Sequence, residues 1–370
     1  MSGLAIRAAY VPLVDAAPLI VARELGFAAD EGLALDLAQA RSWASLRDLL
    51  AAGAVDAAHM LAPMAVARAM GLGPALPPVE VLMILSQGGQ AVGAAEALAQ
   101  RVAGLTEPAP LARAIRAAGP ARLRVGVPFP FSTHVLLMTR WLGNDIDIRT
   151  VPPPLMAQAL EAGEIDLFCV GEPWGSVAER QGVGRILLPG RAIWASAAEK
   201  VLAVRSGWAE SAPDTARALM RAVWRAGRWL DLPANRSMAA EILARPEFLS
   251  LPPEVIDRAL TGGIGGAGRF VTFHEGAATF PWKSLGGLIA ALLARRHGLP
   301  EGPAVTAGSA VFRTDLYRLH LREAGADLPG ASQKIEGTLS HPTAVASERG
   351  TMILGPDRFF DGWIFDPLDG

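Results

Sequence analysis

The chain has 370 residues, of which 51% are hydrophobic and 19% charged, with a formal net charge of −2. This is the balance of a folded protein with a large core; it excludes a disordered chain and lacks the basic surplus of a nucleic-acid or membrane-surface binder. Cys169 is the only cysteine, which excludes a disulfide framework and a cysteine-based zinc site. The longest apolar stretch, 285–294, is far short of a membrane span. Residues 1–7 carry no charged-then-apolar leader pattern, so a cytoplasmic location is expected.

Alternating apolar residues predict a strand over 4–10, then a turn and a helix over 16–25 that Gly26 stops. A strand is expected over 33–38, a helix over 43–52 capped by Ser42 and ended by Gly53, and a strand over 55–60. Pro63 opens the next helix, which runs to about residue 70. This alternation is that of a parallel sheet with crossover helices. The programme restarts with a strand at 123–127, a helix to 142 that Ser132 or Thr133 caps and that carries His134, and a strand at 146–151. A helix over 154–162 ended by Gly163, a strand over 165–170 and a helix with Pro173 in its first position complete the second round.

The two rounds align without gaps at a spacing of 110 residues: Gly53, Asp56 and Pro63 fall over Gly163, Asp166 and Pro173. Two similar α/β units predict two lobes with a ligand cleft between them. Residues 1–85 would begin lobe one, 86–190 form lobe two, 191–300 return to lobe one, and 301–370 form a C-terminal extension on the body. In the return, a helix over 211–231 with Ser211 as cap precedes helices near 233–245 and 253–260. The glycine-rich loop 262–268 lacks the lysine of a phosphate-binding loop. Helices over 282–296 and 312–324 follow, the latter with Leu316 and Leu319 inward. The aromatics of 359–365 are expected to pack on the body.

Catalytic signatures are absent from the sequence: no Gly-x-Ser-x-Gly elbow, no His-Glu-x-x-His, no cysteine pair. An enzyme is therefore not expected. Of six histidines, His134 stands out, because it falls in the first turn of a helix that follows a strand, where anions are favoured. Trp43, Gln90 and the bare backbone N–H of Gly171 fall at comparable strand ends, and Lys200 is the only lysine before residue 283. A few neutral donors and one positive charge suit a small singly charged oxyanion better than phosphate or sulfate.

Several stretches are specific in combination: Pro12-Leu13-Val14-Asp15, Ser42-Trp43-Ala44-Ser45, Ala58-His59-Met60, Thr133-His134, Gly171-Glu172-Pro173-Trp174 and Glu199-Lys200-Val201-Leu202. From about residue 5 to 300 the chain resembles the nitrate/bicarbonate-binding proteins of the NrtA, CmpA and NasS type, and its tail looks like their C-terminal extension. The resemblance implies a type II periplasmic-binding-protein fold, α/β with parallel-rich sheets flanked by helices. In the nitrate branch a tryptophan, a glutamine, a histidine, a backbone glycine and a lysine hold the ligand. These fall on Trp43, Gln90, His134, Gly171 and Lys200, with Gln87 close by as a second candidate for the glutamine. The bicarbonate branch has an acidic residue at the lysine position and uses calcium; Lys200 points to nitrate or nitrite, with no metal and no cofactor.

Exported relatives carry a leader, so the expected role is that of the NasS-type cytoplasmic sensor. Such a sensor holds a NasT-type RNA-binding antiterminator and releases it when nitrate or nitrite is present, touching neither nucleic acid nor membrane itself. The alternatives are the solute-binding component of an ABC nitrate transporter, a sensing domain fused to an ABC ATPase, and an enzyme like the thiamine-pyrimidine synthases. Lys200 is expected to be an exposed cleft lysine that contributes little to stability.

Overall fold

A computed structural model describes residues 4–262 and 270–368. Residues 263–268 of the predicted glycine-rich loop lie outside the described residues. Thirteen strands are described: β1 Leu4–Tyr10, β2 Leu33–Gln39, β3 Ala57–Leu61, β4 Val79–Gly88, β5 Gln90–Ala95, β6 Leu123–Val127, β7 Ile146–Thr150, β8 Leu167–Gly171, β9 Gly184–Pro189, β10 Ala198–Arg205, β11 Val271–Thr272, β12 Thr343–Ser347 and β13 Gly350–Leu354. They form a six-stranded sheet in the order β11-β4-β10-β3-β1-β2, a five-stranded sheet in the order β7-β6-β8-β5-β9, and the hairpin β12-β13.

Each large sheet has a parallel half built by crossover helices, β2-β1-β3 in one and β7-β6-β8 in the other. The strands that carry the chain between lobes add antiparallel pairs: β10 lies between β3 and β4, and β5 lies between β8 and β9. Two passages join the lobes. One is the Gly88-Gly89 turn between β4 and β5, both glycines at positive φ; the other runs from β9 to β10.

The internal repeat is structural. β3 and β8 occupy equivalent positions, and Gly53 and Gly163 both end a helical segment at positive φ, a conformation glycine adopts without steric cost. Asp56 Oδ2 accepts from the Arg7 N–H at 3.1 Å, and Asp166 Oδ2 accepts from the Arg124 N–H at 2.8 Å. Each aspartate thus pins the entry of its strand to the neighbouring parallel strand.

Some local expectations are corrected. Pro173 precedes the helix Trp174–Arg180 instead of opening it, after a cis Glu172–Pro173 bond. Ser211 closes a short helix, Trp208–Ser211, and bonds back to the Trp208 carbonyl; Ala212, not Ser211, precedes the helix Pro213–Asp231. The predicted helix over 312–324 spans Thr314–Leu321, and its inward face is Leu316, Tyr317, His320 and Leu321. Leu319 points to solvent, three residues from the buried Leu316 but rotated past the edge of that face.

Near the end of the chain Phe359 stacks on Trp194, with ring centroids 5.0 Å apart, and the Phe360 N–H donates to the Ile193 carbonyl. Lys334 pairs with Glu336 and Asp357, and Glu336 accepts from the Ser284 hydroxyl. These bonds fasten the tail to the helix Lys283–His297.

Candidate functional site

The carboxyl ends of β1, β3 and β8, the start of β10 and the first turn of the helix Thr133–Leu142 converge between the two sheets, the usual place for a ligand in an open α/β fold. Contacts cross the cleft: the Val14 N–H donates to the Glu172 carbonyl at 2.9 Å, Trp174 Nε1 donates to the Pro12 carbonyl at 3.2 Å, and Thr133 Oγ1 donates to the Ala198 carbonyl at 2.7 Å.

All five residues singled out from the sequence meet there. Ser42 caps the helix Trp43–Ala51 by accepting from the Ser45 N–H, which fixes Trp43 in its first turn. The Lys200 ammonium stands over the Trp43 ring, 5.1 Å from its centroid, in reach of a cation–π attraction. His134 enters from the second lobe in the first turn of its helix, which Ser132 caps. Gln90 and Gly171 face each other as register partners on β5 and β8. The Glu172 N–H bonds to the Gly89 carbonyl, so the Gly171 N–H is directed away from β5. Gln87 lies apart from this group; its amide makes only a long contact, 3.5 Å, to the Ala278 carbonyl.

Lys200 is not the exposed cleft lysine expected. It is 0% exposed, and so are Glu199, Gln90, His59 and His134. Its ammonium donates to Asp15 Oδ2 at 2.7 Å and to Glu199 Oε1 at 2.6 Å. Gln90 Nε2 donates to Glu199 Oε2 at 2.6 Å, and His134 Nδ1 lies 3.3 Å from Glu199 Oε1. His59 Nε2 lies 3.0 Å from Asp15 Oδ1, and its ring lies against Trp43. Three partners were therefore missed by the choice of candidate donors: Asp15, His59 and Glu199.

Asp15 lies in the turn Val14–Ala16 that follows β1, and His59 lies within β3, the strand equivalent to β8. Glu199 is harder to find. Regular alternation would send adjacent residues to opposite faces of β10, but the pairing of β10 with β4 shifts register on either side of Lys200. This bulge turns Glu199 and Lys200 into the same site.

Burial pushes the Asp15 carboxyl up, but the Lys200 ammonium and His59 outweigh it and hold the group at about 2. Burial pushes Lys200 down; Asp15 and Glu199 outweigh it and keep the ammonium protonated beyond its ordinary range. Burial dominates at both histidines, bringing His134 down to about 4 against the pull of Glu199 and lowering His59 against that of Asp15. Both imidazoles are neutral near neutral pH. Burial also raises the Cys169 thiol well above its usual value, which disfavours a nucleophilic thiolate.

Buried polar atoms remain without partners among the described residues. Trp43 Nε1 and both ring nitrogens of His134 have no hydrogen-bond partner among the described residues, and Gln90 Oε1 has none either. Buried polar groups are normally paired, so such orphans around one cation mark a place built for something else. Among the described residues no group of three or more His, Cys, Asp or Glu side chains is arranged to hold a metal ion.

Fold and site together define a two-lobed fold of the solute-binding-protein class whose cleft holds one buried lysine paired with two carboxylates. Residues 4–244 match the model of the NMT1-like family. The nitrate/nitrite binding protein NrtA of Synechococcus elongatus is 31% identical over 386 residues, covering 97% of this chain and 82% of that protein. The nitrate import ATP-binding protein NrtC of the same organism is 32% identical over 346 residues, covering 89% of this chain and 52% of that longer protein. The crystal structure of the periplasmic nitrate-binding protein NrtA from Synechocystis superposes with a TM-score of 0.84 at 27% identity, covering 100% of this chain and 97% of that one. The chain belongs to the NMT1-like family, among the nitrate/bicarbonate-binding proteins.

Proposed function

We propose that the chain binds nitrate or nitrite between its lobes, with Lys200 supplying the charge and Trp43, His134 and the Gly171 N–H supplying directed hydrogen bonds. The observation that carries this reading is the pair of buried nitrogens without partners among the described residues, Trp43 Nε1 and His134 Nε2, beside a buried ammonium. Donors in a desolvated cleft gain most from an acceptor that bears charge, and a small planar oxyanion offers acceptors in several directions. Gln90 supports the site from behind, its Nε2 donating to Glu199 Oε2.

The finer role we propose is that of a cytoplasmic sensor. The closed, anion-bound form releases a NasT-type antiterminator, which the open form holds. Such a switch needs only a difference in anion affinity between the two forms. Its support is the resemblance of the quoted stretches to the family that takes in NrtA, CmpA and NasS alike. A second reading, the solute-binding component of a nitrate importer, is supported by the relatives named NrtA and NrtC.

Calorimetric titration with sodium nitrate, with bicarbonate as control, tests the ligand. Binding of nitrate alone is the expected result, and binding of bicarbonate alone would overturn the assignment. A pull-down of a purified NasT-type protein with and without nitrate separates the two roles. Nitrate-sensitive retention supports the sensor, and no retention under either condition supports the importer.

A further inference from the structure

Resting on the anion-binding reading, the charges of the cluster carry a further step. Both oxygens of Glu199 accept hydrogen bonds, one from Lys200 and one from Gln90, which is the pattern of a carboxylate. Asp15 likewise presents one oxygen to the Lys200 ammonium and the other to His59. The single cation of the cluster is thus already matched by two carboxylates. With both imidazoles neutral, the enclosure carries a net charge of about −1 before any ligand enters. A further anion placed there would meet two buried carboxylates at short range, which a site of low dielectric tolerates poorly.

We propose that the site takes up its oxyanion together with a proton, and that His134 holds this proton between Glu199 and the anion. The geometry fits: His134 Nδ1 faces Glu199 Oε1 at 3.3 Å, and Nε2 is a buried nitrogen without a partner among the described residues. Protonated, the ring donates from one nitrogen to Glu199 and from the other to the ligand. The proton comes from solvent and no bond other than N–H forms. The charged and titratable groups around His134 are Glu199 and Lys200 on β10, Asp15 after β1, and His59 on β3 at the far side of Asp15. Among these Lys200 opposes protonation, while Glu199 and Asp15 favour it. In the free protein burial outweighs them and keeps His134 neutral, so the added anion is what tips the balance. Affinity should fall as pH rises, about tenfold per pH unit across the interval between the free and the liganded pKa of the cluster.

The test is calorimetry of the full chain with sodium nitrate near neutral pH in Bis-Tris, imidazole and Tris, cationic buffers of different ionisation enthalpy that do not compete as anions. The expected result is an observed heat that changes linearly with buffer ionisation enthalpy, with a slope of about one proton taken up per nitrate. Nitrate bound with zero slope overturns proton coupling and leaves the anion reading standing. Failure of nitrate to bind in any buffer, checked by thermal shift, removes the anion reading itself. Glu199→Gln provides the second arm, since it keeps an acceptor and a donor in place while removing one charge. Its slope should drop towards zero and its nitrate affinity should become flat with pH; an unchanged slope overturns the assignment to the Glu199–His134 pair.

Discussion

Lys200 Nζ donates to Asp15 Oδ2 at 2.7 Å across 185 residues of chain, and solvent scarcely reaches either side chain. The bond ties the strand that returns to the first lobe to the loop that leaves its first strand. Its partner bond to Glu199 makes a buried triad, so Lys200 is structural as well as ligand-directed. Removing one member of a buried ion pair costs about 3–5 kcal/mol, because the remaining charge is left unpaired. Lys200→Met should therefore lower stability in urea by roughly 3 kcal/mol or more while abolishing nitrate binding. Adding Asp15→Asn to that variant should recover part of the stability and none of the binding. A Lys200→Met protein as stable as the parent would refute the buried-triad description.

Trp43 makes the opposite case. Its indole N–H has no partner among the described residues, so deleting it loses no bond in the free protein. Trp43→Phe keeps an aromatic ring under the Lys200 ammonium and against His59. Nitrate affinity should fall about tenfold, the worth of one charge-assisted hydrogen bond of roughly 1.5 kcal/mol. Unfolding in urea should change by less than about 1 kcal/mol, apart from the smaller ring's packing. Equal affinity for nitrate in the two proteins would mean that the indole N–H does not face the ligand.

How far the sequence carries depends on the kind of signal. The helix starts at Ser42 and Ser132 and the stops at Gly53 and Gly163 depend on local chemistry, and the structure has them where the sequence places them. The mixed pairing of β4, β5 and β10 is long-range, and no local pattern states which edge a strand joins. The same holds in the site. Trp43, His134 and Gly171 lie at strand ends that periodicity reveals, so they could be read as donors. The burial of Lys200 depends on two carboxylates brought to it by the fold, and Glu199 reaches it only because β10 bulges. A residue's exposure is a property of its surroundings, and composition next to Lys200 does not encode it.

The paired aspartates of the repeat allow a comparison inside one molecule. Asp166 accepts from the Arg124 N–H at 2.8 Å and from its guanidinium Nε at 3.0 Å, and this pairing holds its carboxyl below the usual range against the effect of burial. Asp56 accepts from the Arg7 N–H at 3.1 Å, but its nearest guanidinium, that of Arg205, stands at 3.7 Å. Asp166→Ala should cost about 2 kcal/mol and Asp56→Ala about 1 kcal/mol, the difference being the charge-assisted bonds. Urea unfolding of the two variants checks the order, and equal losses would show that the backbone bond alone matters at both sites.

Glu172 stands where the second lobe's β8 meets the first lobe's loop, and its carbonyl accepts from the Val14 N–H across the cleft. Its carboxyl is buried, and burial raises it to about 7, against the Ser176 N–H, which both oxygens approach at 3.2 Å and which favours the charged form. The folded-state value lies above the ordinary 4.5, so the folded chain holds a proton there that the unfolded chain has lost. The sign follows: the stabilisation is complete below about pH 4.5 and is lost as pH rises through about 7. Glu172→Gln cannot ionise and keeps an acceptor for Ser176. Its stability relative to the parent should therefore rise between pH 5 and pH 8, by an amount on the order of 1–3 kcal/mol. Urea titrations of both proteins at the two pH values measure this difference, and a difference that stays constant with pH would mean that Glu172 is ionised throughout in the folded protein.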